Sequence, residues 1–165
     1  MPAKHVPEGY HSLTPYIICD GAAAALDYYK KAFGAEERMR FAGPGGKIMH
    51  AEITVAGSII MLADEFPEMG AVSPKRLGGT PFGLCLYVPD CDKVFNQAVA
   101  AGGKAERPVV NQFYGDRSGT LVDPFGHKWT VSTHVEDVPP DEMKKRMESY
   151  TKQGGGDCSN TAAKK

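Results

Sequence analysis

Two landmarks recur along the chain at nearly one interval, and that interval limits the folds open to it. Asp20 closes the apolar run PYIICD, and Asp90 closes LCLYVPD 70 residues later; the turn glycine Gly57 has its counterpart in Gly126, 69 residues on. Landmarks that agree within one residue are the mark of a duplicated supersecondary unit. Each half reads the same way. After Asp20, which is placed to cap a helix, GAAAALDYYKKAFG carries Ala22, Leu26, Tyr29 and Phe33 at helical spacing and stops at Gly34. Strand-like runs come next, around EERMRFA, KIMHAEITV and SIIMLA, separated by AGPGG and by a tight Ala56-Gly57 turn. In the second half CDKVFNQAVAAGG is a helix capped by Asp90. Val94, Ala98 and Ala101 face inward, and Gly102 or Gly103 closes it. Strands around KAERPVV, SGTLVD and KWTVST complete that half. The expected fold class is α+β, built from two βαβββ half-repeats over about 12–64 and 81–134.

Between the halves lies EFPEMGAVSPKRLGGT, rich in glycine and proline and expected to be a structureless linker or lid. Phe66 and Met69 within it are candidates to close over a cavity. A terminal helix is expected over about 139–150, so that one domain occupies 1–153 and residues 154–165 form a disordered tail.

With 19 basic and 20 acidic residues the net charge is −1, which gives no field favouring nucleic acid or an anionic membrane. No apolar run approaches the roughly 20 residues that span a bilayer, and the start, MPAKHVPEGYHSL, lacks a secretory apolar core. Cys19, Cys85, Cys91 and Cys158 form no CxxC pair, which argues against a zinc cage or disulfide framework. The expected location is the cytoplasm.

Strand alternation separates two faces. In KIMHAEITV, Met49, Ala51, Ile53 and Val55 lie on one side, and His50, Glu52 and Thr54 on the other. Leu84, Leu86 and Val88 oppose Gly83, Cys85 and Tyr87; Trp129 and Val131 oppose Thr130, Ser132 and His134. The apolar faces are expected beneath the helices, Trp129 included. A two-residue turn at Ala56-Gly57 sets Glu52 opposite Met61 and His50 opposite Ala63. His127, just after the turn glycine, is expected to be exposed.

The segments EGYHSLTPYIICDGAAAALDYYKKAFGAEE, HAEITVAGSIIMLAD, EFPEMGAVSPKRLGGTPFGLCLYVPDCD and QFYGDRSGTLVDPFGHKWTVSTHVEDV resemble, in order and spacing, the vicinal oxygen chelate superfamily of glyoxalases, bleomycin-resistance proteins and extradiol dioxygenases. The resemblance is to its PhnB-like branch and covers residues 7–150. It implies an open β-barrel-like cavity, a homodimer, and four metal positions on the first and last strands of each half. Those positions map to Leu13, Met61, Gly83 and Thr130, a poor set of ligands for a divalent ion. The implied function is therefore a small-molecule binding protein without the usual metal centre, sequestering a hydrophobic or aromatic compound. The competing reading is a divalent-metal lyase, isomerase or dioxygenase using a shifted site at His50 and Glu52, with His134 and Arg117 facing them from the second half.

The candidate catalytic pair is His50 and Glu52, able to act as acid and base or as a partial ligand set. Expected pocket residues are Met61, Cys85, Tyr87, Tyr114, Arg117, Thr130, Ser132 and His134, with Arg117 suited to an anionic group. The bland reading of QFYGDR is an Asp116–Arg117 pair fixing the bend at Gly115. No GxxxxGK[ST] loop and no GxSxG elbow occurs, and no glycine-rich loop comes after the first strand to hold a nucleotide-like cofactor.

Overall fold

A computed structural model describes residues 3–152. The first half-repeat runs β1 (Tyr16–Cys19), α1 (Ala22–Phe33), β2 (Glu36–Ala42), β3 (Ile48–Val55) and β4 (Ser58–Asp64). A short helix α2 (Pro74–Leu77) lies in the connection. The second half-repeat is β5 (Gly83–Tyr87), α3 (Cys91–Ala100), β6 (Lys104–Asn111), β7 (Asp116–Val122) and β8 (Lys128–His134), with α4 (Pro140–Lys152) after it. Each half makes one four-stranded sheet, ordered β1-β4-β3-β2 and β5-β8-β7-β6, with the first strand parallel to the last. The duplication is thus present in strand order and strand direction alike. The expected 154–165 tail lies outside the described residues.

The two sheets do not close into one barrel within the chain. The halves meet through their helices, with α1 packed on α3. Beneath them Ile17, Leu26, Tyr29, Ile53, Leu62, Leu121, Trp129 and Val131 form a single core. Trp129 is 1% exposed and packs in tilted contact with Phe33 and Tyr29. In α3, Phe95 and Cys91 are buried beside Ala98, while Val94 and Ala101 only flank the core. Met49 departs from the expected parity: it is exposed and lies over Gly43, and Ile48 takes the buried position.

The helix start of the first half corrects a sequence expectation. Asp20 is exposed and caps nothing; its nearest charge is Lys75 at 3.9 Å. The buried carboxylate of Asp64, at the end of β4, instead accepts from the Gly21 and Ala22 amides (3.1 and 2.8 Å) and from the Ile48 amide (2.7 Å). The same strand position in the second half is Thr133, whose hydroxyl accepts from the Cys91 amide at 2.9 Å. There Asp90 also caps as expected, accepting from the Lys93 amide.

The linker is more ordered than its composition suggests. Glu65 accepts from the Ser73 amide (2.7 Å) and pairs with Arg76, Ser73 caps α2, and Phe66 bridges to Ala71. Pro74 is buried against Gly126, so the segment docks on the turn of the second half. Phe66 lies under Lys47, and Met69 is 76% exposed. Neither lines the cleft between the halves or the hollow at the N-terminal arm, and the segment is held by polar caps together with the buried Pro74.

The Ala56-Gly57 turn has φ of 45° and 80°, the doubly left-handed geometry of a type I′ hairpin, and it sets Glu52 opposite Met61 as the loop length requires. Alanine is strained there and asparagine is not. Ala56→Asn is expected to add about 0.5 kcal/mol, raising Tm by about 1–2 °C in a scanning calorimeter.

Candidate functional site

On the face of the first sheet turned away from the helices, Glu52 is 4% exposed at the centre of β3. Register sets Met61 on one side of it and Met39 on the other. The Tyr10 hydroxyl donates to one carboxylate oxygen, and His50 Nε2 lies 3.3 Å from the other. The Tyr16 hydroxyl meets His50 Nδ1 at 3.0 Å. In the tautomer that protonates Nε2, Tyr16 donates to His50 and His50 donates to Glu52, a continuous chain ending at Tyr10. Burial pushes the Glu52 carboxyl up, but the hydrogen bonds from Tyr10 and His50 outweigh it and hold it below the ordinary value. The same bond to Glu52 raises Tyr10.

A β-bulge brings a cation to this group. Between Glu37 and Met39 the register of β2 on β3 slips by one, leaving Arg38 as the extra residue, with its guanidinium 5.0 Å from the Tyr10 ring centroid. Bulges re-aim side chains in this way beside functional surfaces.

The second sheet carries a different set. Thr120 faces Thr130, their hydroxyls 3.2 Å apart, where the first sheet has Glu52 and Met61. Cys85 lies beside Thr130 on β5, with its thiol 3.8 Å from Ser132 Oγ. At the rim the buried Asp116 accepts from Tyr87 (2.7 Å) and holds His134 Nδ1 at 2.8 Å, while His134 Nε2 meets Asp137 at 3.0 Å. The bond to Asp116 pushes the Tyr87 phenol up to about 12. The bonds to Asp116 and then Asp137 raise His134 above 6.5. A raised histidine stabilises the fold fully below its unfolded value and stops doing so as pH rises through the folded one. The Tm advantage of the wild type over His134→Gln is therefore expected to be largest below about pH 6.5 and to fade in alkaline buffer.

Between the halves opens a cleft of about 350 Å³, lined by His11, Leu13, Ile59, Cys85, Tyr87 and Trp129 among others. A second, more open hollow of about 310 Å³ is formed by the N-terminal arm itself, from His5 to Thr14, together with Met61. His11 and Thr14 border both. Of the expected pocket residues, Cys85 and Tyr87 line the cleft and Met61 the hollow at the arm. Thr130 and Ser132 lie on the same sheet face, level with Cys85 and Tyr87 in the register, but do not line the cleft. Tyr114 and His134 border a separate depression beside α4.

Arg117 belongs to none of these. Alternation turns it to the helix side of β7, where it pairs with Asp92 of α3 (2.6 and 2.7 Å) and with Asn111. It therefore does not pair with Asp116, and neither it nor His134 faces His50 and Glu52. His127, expected to be exposed, is 5% exposed and places Nε2 3.0 Å from the Ile18 carbonyl, joining the two halves. Sequence patterning does not single out Tyr10, Tyr16, Arg38 or His11 for this surface. Only Tyr16 carries a signal there, as the β1 position that a parallel first strand sets beside Met61.

The four strand positions where the resemblance implies a metal do not suit one. Leu13 precedes β1, and the register sets Tyr16 and Cys85 beside Met61 and Thr130. Phenol, thioether, thiol and hydroxyl make no ligand set for a hard divalent ion. Among the described residues no group of three His, Cys, Asp or Glu side chains is placed to hold a metal.

The family model of the glyoxalase/bleomycin resistance protein/dioxygenase superfamily matches residues 10–131. The uncharacterized protein Rv0887c of Mycobacterium tuberculosis is 40% identical over 148 residues, covering 88% of this chain and 85% of its own. Among solved structures, protein PA1353 of Pseudomonas aeruginosa superposes with a TM-score of 0.62 at 25% identity, covering 76% of this chain and 99% of that one. The PhnB protein of Bacillus cereus, titled a putative 3-demethylubiquinone-9 3-methyltransferase, does so at 0.55 and 21%, over 74% and 99%, a likeness of fold. With its duplicated βαβββ halves and a family match over most of its length, the chain belongs to the glyoxalase/bleomycin resistance protein/dioxygenase superfamily.

Proposed function

We propose that this protein binds a small, largely apolar molecule and does so without the divalent metal its superfamily commonly uses. The observation that carries this reading is the cleft between the halves, about 350 Å³ and lined by Leu13, Ile59 and Trp129 with a few polar groups from His11, Cys85 and Tyr87. A mostly apolar cavity with sparse polar groups suits an aromatic or hydrophobic ligand. The donor set at the four strand positions supports metal independence. The test is thermal shift with a panel of aromatic compounds, with and without EDTA. A ligand that raises Tm equally in both, unchanged after incubation, is the expected result. Binding that EDTA abolishes would sink the reading.

The Tyr16–His50–Glu52–Tyr10 chain supports a second reading, an enzyme in which His50 and Glu52 move a proton. It is distinguished by product formation that Glu52→Gln removes while Tm is retained.

We also propose a homodimer. Tyr16, Phe41 and Tyr87 are exposed on the open sheet faces, and a second copy covering those faces would bury them. Sedimentation at micromolar concentration is expected to give twice the mass of one chain; a monomer would refute it.

A further inference from the structure

The arm formed by residues 3–14 is held to the rest of the protein in one unusual way. Among the described residues the Tyr10 hydroxyl makes the only hydrogen bond between that arm and the body, and its partner is the buried Glu52. The ring it carries has the Arg38 guanidinium 5.0 Å from its centroid, in cation–π range. Beside Tyr10 the arm itself and Met61 form an open hollow of about 310 Å³.

The chemistry around Glu52 selects which molecule. Glu52 accepts from Tyr10, and from His50 when Nε2 carries the proton, so a ligand group replacing Tyr10 must donate. An ammonium would donate, but Arg38 beside it would repel the charge. A carboxylate or phenolate would suit Arg38 and be repelled by Glu52. A neutral aromatic hydroxyl satisfies both, and the thioethers of Met39 and Met61 flanking Glu52 favour contact with an aromatic ring.

We infer that Tyr10 is the site's resident stand-in for its ligand: the position over Glu52 and under Arg38 takes a phenol, which displaces Tyr10 and lifts the arm. This rests on the reading of the chain as a small-molecule binder and names the class of molecule. Wild-type protein must give up its internal phenol to bind an external one, so removing Tyr10 should tighten binding.

The probe is 4-methylphenol, titrated calorimetrically into wild type, Tyr10→Ala, and Tyr10→Ala combined with Glu52→Gln. Tyr10→Ala is expected to bind at least about tenfold more tightly than wild type, and the double variant to lose that gain. Toluene, which lacks the hydroxyl, is expected to show no gain. Tyr10→Phe, which keeps the ring in place, guards against a folding effect and is expected to fall between wild type and Tyr10→Ala. Equal affinity in wild type and Tyr10→Ala, no binding by Tyr10→Ala, or a gain that survives Glu52→Gln would overturn the inference. If other aromatics still raise the wild-type Tm by way of the cleft while 4-methylphenol fails these tests, small-molecule binding stands and only the role of Tyr10 falls.

Discussion

Asp123→Ala is expected to cost about 4 kcal/mol or more, a large part of the roughly 5–15 kcal/mol that holds a domain together. Asp123 is 4% exposed and serves four donors: the Tyr29 hydroxyl (2.8 Å), Trp129 Nε1 (3.0 Å), and the Phe125 and His127 amides (2.9 Å each). Tyr29 comes from α1 and Trp129 from β8, so this carboxylate ties the first half to the second. Alanine strands all four donors in a dry interior, and each buried orphan is costly. The midpoint should fall by roughly 10 °C. Urea titration followed by the fluorescence of the lone tryptophan, Trp129, measures the loss. Asp123→Asn, which keeps one acceptor oxygen and the shape, should recover part of it. A loss below about 1 kcal/mol would mean that water replaces the carboxylate at these donors.

The second large effect separates the aspartate that caps α1, Asp64, from Asp20, the one its sequence position suggests. Asp64→Ala is expected to cost about 3 kcal/mol, because three amides at two places in the chain lose a charged acceptor. Asp20→Ala is expected to change stability by less than about 0.5 kcal/mol, as for an exposed charge with a distant partner. Denaturant midpoints of the two variants, measured side by side, check the contrast. Equal losses would contradict the capping role of Asp64.

Much of the architecture is legible in the sequence because it rests on local periodicity. The 70- and 69-residue intervals, the helical spacing of Leu26 and Tyr29, and the alternation along β3 and β8 come from rules that act within a few residues. The two-residue turn fixes the pairing of Glu52 with Met61 by loop length alone. The same alternation, carried one residue further along β7, turns Arg117 to the helix side; its charge suggests a ligand, and its parity rules the pocket out.

The hidden part depends on contacts between segments far apart in the chain. Nothing in EGYHSL marks Tyr10 as the partner of Glu52, 42 residues away, and a bulge that re-aims Arg38 leaves no compositional trace. Asp20 sits where a cap should, yet Asp64 takes the role because β4 ends beside the start of α1, a proximity set by the parallel pairing of β1 with β4. His127 comes just after a turn, where solvent is the ordinary expectation, and is buried because the first half supplies the Ile18 carbonyl. The sequence by itself therefore determined the repeat, the elements and the faces of the strands, since these depend on short-range geometry. The tertiary structure alone decided which polar groups meet, because hydrogen-bond partners are chosen by how the two halves and the arm pack, and packing is not periodic.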